Sequence, residues 1–188
     1  MSAGSAVPSK VQVATRGHVI GETRTAPGSW DPKARTLEIT LATDAPYLRK
    51  GWSGSYWETL SMEPGACDMS RLMSGAPALL QHASYDADSL LGAFGEPRIE
   101  GSRLLASVHF TDEDLAIARG IEPFVQEAAR GIRKKWSVGY DILGFRETGV
   151  GADGIPQILV FRWMPLEGSL VLIPADDSCE SRSHGGTM

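Results

Sequence analysis

Residues Arg35 to Thr43 alternate with a period of two, placing Leu37, Ile39 and Leu41 on one side and Glu38 and Thr40 on the other. A helix of 3.6 residues per turn would scatter those apolar side chains, whereas a half-buried strand collects them on one face. Further runs read the same way. Leu90 to Arg98 and Arg103 to Phe110 form a strand pair turning near Glu100-Gly101. Ala78 to Gln81 is a short strand, and Trp136 to Phe145 is a longer one ahead of a hairpin loop at Gly149 to Gly154. Ile158 to Met164 and Glu167 to Ile173 are the last two strands before Pro174, and Val11 and Val13 open another that runs towards Ile20. Residues 44 to 78, rich in Gly, Pro and Ser, read mostly as loop with a short helix at Asp68 to Met73. Helical periodicity is confined to the stretch after Thr111, an expected N-cap followed by Asp112, Glu113 and Asp114. Gly120 and Pro123 break it into a kinked helix or two short ones, and Gly131 ends it. Many strands with one or two helices predict an α+β domain, mainly antiparallel and closing towards a small barrel.

The chain has 188 residues, enough for one domain with its own core. Residues 1–9 are small and polar and are expected to form a flexible N-terminal tail, residues 10–177 the folded domain, and residues 178–188 a flexible C-terminal tail. The net charge of −5 argues against a nucleic-acid partner, which calls for a basic surface. No apolar run approaches the length needed to span a bilayer, so no membrane partner is expected, and the N-terminus lacks the pattern of a signal peptide. Cys67 and Cys179 lie far apart and read as reduced thiols, neither a disulfide framework nor a zinc site.

Three polar residues stand out against this background. Ser137 opens a strand within Lys134-Lys135-Trp136-Ser137-Val138-Gly139-Tyr140. His82 follows Leu79-Leu80-Gln81, and Glu167 heads Glu167-Gly168-Ser169-Leu170-Val171. Serine is a weak nucleophile that needs an adjacent base, and the base needs a third group to fix its tautomer and carry its charged form. On a strand, Ser137 and Gly139 share a face, and Gly139 leaves room there. Position 135 is Lys, so there is no G-x-S-x-G elbow of the α/β-hydrolases. Plainer readings exist for each residue. Ser137 can be a small strand residue, His82 a satisfied core or loop histidine, and Glu167 the partner of Arg162. His18, His109 and His184 are the other histidines, and His82, Asp86 and Asp88 are a mixed ligand set for a divalent cation. Arg130, Arg133, Lys134 and Lys135 form a basic cluster that is either a solvated helix end, an oxyanion donor or a docking site for an acidic partner. The aromatic segment Tyr47 to Leu60 either packs as core and loop or lines a cleft that holds an extended peptide.

Leu79-Leu80-Gln81-His82, Trp136-Ser137-Val138-Gly139-Tyr140 and Glu167-Gly168-Ser169-Leu170-Val171 followed by Ile173-Pro174-Ala175-Asp176, in that order, resemble the prohead proteases of tailed bacteriophages. The resemblance covers about Val11 to Asp177. It departs at Gly168, where relatives tend to carry a branched apolar residue. It implies a β-barrel-like core surrounded by helices, related to the herpesvirus assembly protease. It also implies a serine endopeptidase with Ser137 as nucleophile, His82 as base and Glu167 as orienter, and with no metal or organic cofactor. The implied partners are the major capsid protein, its scaffold-like segment and further copies of the protease itself. The implied location is the assembling prohead in the host cytoplasm, where the enzyme also trims its own ends. Two other functions are compatible with the residues: a non-catalytic scaffolding or capsid-assembly module on the same fold, and a metal-dependent hydrolase built on His82, Asp86 and Asp88.

Overall fold

The structure of the protein, a computed structural model, describes residues 28–51, 54–176 and 178–182. The expected N-terminal tail, the expected strand from Val11 towards Ile20, and residues 183–188 lie outside the described residues. The elements in chain order are β1 (Thr36–Thr43), β2 (Tyr47–Gly51), β3 (Gly54–Leu60), α1 (Ser70–Met73), β4 (Pro77–Leu80), a 3-10 turn (Ala87–Ser89), β5 (Leu90–Glu100), β6 (Arg103–Phe110), α2 (Glu113–Ala118), α3 (Glu122–Ala129), β7 (Lys135–Val150) and β8 (Pro156–Val171). The α+β class therefore holds: strands dominate and the helices are short.

Among the described residues, one sheet joins the strands in the order β1-β6-β5-β4-β8-β3-β2, with β7 also paired to β8. The expectation of a mainly antiparallel barrel needs two corrections. First, the sheet is mixed. The first half of β8 runs parallel to β3, with Trp57 opposite Gln157, and its second half runs parallel to β4, with Leu79 opposite Ser169. Parallel neighbours need long connections, and β8 is far enough along the chain to reach both. Second, the ladders do not close, and the sheet stays open between β1 and β7. Residues 179–182 bridge part of that gap: Thr40 N donates to Glu180 O (2.9 Å), Arg182 N to Glu38 O (3.0 Å), Trp136 N to Cys179 O (3.0 Å) and Ser181 N to Lys134 O (2.8 Å).

That docking overturns the expectation of a free tail from Ser178 for residues 178–182. Cys179 and Ser181 are buried, and Asp176 anchors the approach by accepting from Thr43 Oγ1 and from Ser178 N (2.9 Å) and Oγ. Burial alone would raise the pKa of Asp176, but these donors outweigh it and hold the carboxyl below its usual range. The same cover explains why β1 is more buried than its alternation predicts. Thr40, Ala42 and Thr43 join Leu37, Ile39 and Leu41 in the interior.

Two further corrections are local. Residues 47–51 and 54–60, expected as loop, pair as the antiparallel strands β2 and β3, with Tyr47 opposite Glu58 and Gly51 opposite Gly54. The two expected final strands are one strand, β8. It passes through Pro165 because the register shifts there: Tyr140 faces Pro165 and Gly139 faces Glu167, leaving Leu166 without an opposite number. The helices match more closely. α2 and α3 are two short helices separated at Gly120 (φ +71°), although the N-cap residue is Asp112 and not Thr111.

The core collects Leu37, Ile39, Leu41, Phe94, Val108, Trp136, Trp163 and Leu170. Both buried indoles find acceptors, Trp163 Nε1 on Ser61 O (3.0 Å) and Trp136 Nε1 on Ser181 Oγ (3.3 Å). Gly168 faces this core. A Cβ built there would stand 2.5 Å from the Phe94 ring and 2.6 Å from Leu41 Cδ1. Phe94 and Leu41 thus fill the space that a branched residue at position 168 would take, which accounts for that departure from the resemblance.

Candidate functional site

Ser137, Gly139, Glu167 and Ser169 form a square on neighbouring strands. Ser137 lies opposite Ser169 and Gly139 opposite Glu167 in the β7–β8 ladder. Directly opposed residues share a face, as do residues two apart on one strand. All four therefore project to the same side, away from the core face that carries Trp136, Val138, Gly168 and Leu170. Gly139 is required here. A Cβ at this position would meet Glu167 Oε1 at 2.2 Å, so the room beside Ser137 is occupied by the Glu167 carboxylate.

His82 arrives from β4, which lies beside β8. Gln81 N donates to Leu170 O (3.2 Å), and Ala83 N closes a turn onto Leu80 O (3.1 Å). Gln81 and His82 both adopt positive φ, +57° and +58°. Two consecutive left-handed residues belong to the turns that normally carry Asn or Gly. For a glutamine and a histidine such a backbone costs of the order of 1–3 kcal/mol per residue, and outliers of this kind concentrate at functional sites. The turn swings the imidazole over the square: His82 Nδ1 lies 2.8 Å from Glu167 Oε1. An ionised carboxylate only accepts, so against one Nδ1 is the donor, and in the neutral imidazole Nε2 is then the acceptor offered to a substrate or nucleophile.

Ser137 is 8% exposed. Among the described residues its Oγ makes no hydrogen bond, yet no buried side-chain N or O lacks a partner. Its hydroxyl therefore still meets solvent. It opens onto a cavity of about 550 Å³ whose lining includes Ser137, His82, Gly139, Tyr140, Arg49 and Asp176. The structure thus brings all three sequence-derived candidates together. His82 and Glu167 are bonded, and Ser137 opens onto the same cavity as His82 without bonding to it.

The alternatives fare differently. Arg162 is not the partner of Glu167, whose carboxylate is engaged by His82 and by Ser169 Oγ (2.7 Å). Asp86 caps the 3-10 turn by accepting from Asp88 N, and no group of three or more His, Cys, Asp or Glu converges on a metal-sized space among the described residues. In the basic cluster, Arg133 pairs with Glu127 (2.8 Å) while Lys134 and Lys135 both approach Glu180 (3.0 and 3.6 Å). Two acids thus face three of the cluster's four cations, between the end of α3 and the docked C-terminal segment. His109 pairs with Glu96 at 3.7 Å, while His18 and His184 lie outside the described residues. Cys67 and Cys179 are free and buried. Burial, aided by Asp68, pushes the Cys67 thiol up to about 12.

Sequence reasoning missed two parts of the site. One is Ser169, whose Oγ accepts from His82 N (3.0 Å) while donating to Glu167. A serine in an apolar strand carries no signal of its own. The other is the polar cluster on Glu58 that backs the cavity wall. Tyr47 and Tyr140 both donate to the buried Glu58 carboxylate, and Arg49 donates to Glu58 Oε1 (3.2 Å) and Tyr140 Oη (2.6 Å). Burial, reinforced by Glu58, pushes the Tyr140 hydroxyl up to about 12, and Tyr47 is raised further for the same reasons. Both phenols therefore stay neutral donors. The aromatic segment's two readings meet here: Leu60 is core, and Tyr47 and Arg49 face the cavity.

The chain is 30% identical to the major capsid protein of Halomonas phage phiHAP-1, over 72% of this chain and 21% of that protein. The chain thus spans about a fifth of the length of the curated relative it matches. No protein-family model and no solved structure matches it. Among the described residues no helix is long and apolar enough to cross a membrane.

Proposed function

We propose that this chain is a serine endopeptidase that processes capsid-assembly proteins, itself included, during maturation of a phage head. The observation that carries the reading is the His82–Glu167 bond of 2.8 Å beside a cavity onto which the unbonded Ser137 hydroxyl opens. In this mechanism Ser137 Oγ attacks the scissile carbonyl carbon as His82 Nε2 takes its proton. The tetrahedral intermediate collapses when His82 returns that proton to the leaving amine, and the acyl group stays on Ser137. A water then repeats the sequence and frees the new carboxylate. Glu167 holds the imidazole by Nδ1–H and offsets the positive charge it carries in both transition states.

The sheet supplies a way to hold the peptide. Trp136 N and Lys134 O point to the edge of β7 that residues 179–182 occupy. By alternation Val138 presents its N–H and C=O to the same edge, where no strand pairs with it among the described residues. An extended substrate added there would run past Ser137, with the side-chain room of the cavity beside it. The likeness to a phage major capsid protein supports a substrate from the capsid-assembly machinery, with the precursor of such a protein as the natural choice.

An alkyl fluorophosphonate tests the activated serine directly. The wild-type chain should gain one adduct mapping to Ser137, and Ser137→Ala should gain none. Absence of the adduct together with absence of cleavage of a capsid precursor would favour a non-catalytic assembly module.

Gly139→Ala follows from the same geometry. The new methyl would displace the Glu167 carboxylate, and a displacement of about 1 Å at a reacting constellation costs about a hundredfold in turnover. Peptide-cleavage kinetics should show that loss with the unfolding midpoint little changed, because the methyl meets the movable end of a side chain. Full turnover would mean that the carboxylate at this position does not matter.

A further inference from the structure

We infer that Ser169 is a positioning residue that couples the base to its orienter. The proposal rests on the reading of Ser137, His82 and Glu167 given above. A single hydroxyl makes both contacts: Ser169 Oγ accepts from His82 N at 3.0 Å and donates to Glu167 Oε2 at 2.7 Å. The Glu167 carboxylate is thereby divided between two donors, His82 Nδ1 on Oε1 and Ser169 on Oε2. That division fixes the carboxylate plane. The bond from His82 N holds the residue whose positive φ aims the imidazole. A backbone in that region persists only where its surroundings over-determine it.

Other features favour this role over general packing. Ser169 is 0% exposed and is not part of the cavity lining, so it cannot touch a substrate held there. Its neighbour Leu79 is paired with it through the parallel β4–β8 ladder, so strand pairing already fixes the backbone of both elements. What the ladder does not fix is the turn beyond Leu80 and the rotamer of Glu167. The hydroxyl reaches both.

The test compares Ser169→Ala with Ser169→Thr, which keeps the hydroxyl, in the full chain. For Ser169→Ala, kcat on a peptide substrate should fall about 10- to 100-fold, by analogy with the loss when the outer partner that orients a metal-bound histidine is removed. KM should stay within about twofold, because no substrate contact is lost. Ser169→Thr should recover most of the rate. Two readouts do not depend on activity. The His82 amide should exchange at least about tenfold faster in Ser169→Ala, and the Nδ1 proton resonance of His82 should weaken or vanish. Unchanged kcat with a protected His82 amide would overturn the proposal, as would a folded Ser169→Thr no better than Ser169→Ala. If the wild-type chain cleaves nothing, the protease reading fails, and the amide and Nδ1 signals still decide whether Ser169 couples the two residues. Should Ser169→Ala not fold, Ser169→Cys, nearly the same shape with a poor hydrogen-bonding group, carries the same readouts.

Discussion

Ser137→Ala is expected to abolish processing, with a loss of about a millionfold in turnover, the size found when a triad nucleophile is removed elsewhere. It should do so without cost to the fold. Ser137 Oγ has no hydrogen-bond partner among the described residues, so its removal strands no buried donor or acceptor. The β7–β8 ladder through Ser137 and Ser169 is made by backbone groups and is indifferent to the side chain. The natural measurement is co-expression with a capsid-precursor substrate, read by gel and intact mass, alongside a thermal melt of each protein. Unchanged processing by the alanine variant would remove Ser137 from the mechanism. Loss of processing together with loss of the melt would mean that the residue is structural.

The strands most legible in the sequence were those whose periodicity reports one buried face. Leu37, Ile39 and Leu41 are all fully buried, and the β5–β6 pair runs antiparallel about Gly101 as its turn residues predict. Periodicity failed where burial is not the organising force. In β2, Tyr47-Leu48-Arg49-Lys50-Gly51 forms an edge strand whose polar residues serve the Glu58 cluster, so no apolar alternation marks it. Pro165 reads as a strand end, and only the register shift at Leu166 lets β8 continue past it. The parallel partners of β8 lie far away in the sequence, and no local pattern specifies them. Residues 179–182 dock by backbone bonds to β1 and β7, and composition alone cannot anticipate bonds of that kind.

For the site, the acid was legible because a carboxylate in a strand otherwise built for burial needs a partner, whereas the serine, like Ser169, carries no such signal and stood out only through the motif around it. The histidine needed the company of the other two. What holds them was not legible. The Gln81–His82 turn is strained, with residue types that normally avoid it, and nothing in Gln-His announces positive φ. Gly139 was read as leaving room beside the serine. Its more specific task is to leave room for Glu167, and that depends on a pairing register that sequence does not print.

The second large effect concerns the dyad. His82→Ala should approach the severity of losing the serine, because without the imidazole the only carboxylate in the cavity wall, among the described residues, is Asp176, whose hydrogen-bond donors hold it below its usual range and make it a weak base for the Ser137 proton. Arg49 is a permanent cation, and both phenols stay protonated. Glu167→Gln should be milder, with a loss of up to about ten-thousandfold, the cost of neutralising the corresponding acid in a chymotrypsin-like protease. The amide keeps the shape that Ser169 and Gly139 are built around, and so some positioning survives. It cannot carry the charge that stabilises the imidazolium. Its NH2 also replaces one of the two oxygens that accept from His82 Nδ1 and Ser169 Oγ, so one of those donors would face another donor. Turnover of one peptide by the three proteins, measured with and without a chelator, separates these roles. A Glu167→Gln variant with full activity would send the search for the third member to Asp141 or Asp86. Strong inhibition by the chelator would instead revive a metal-dependent reading around His82.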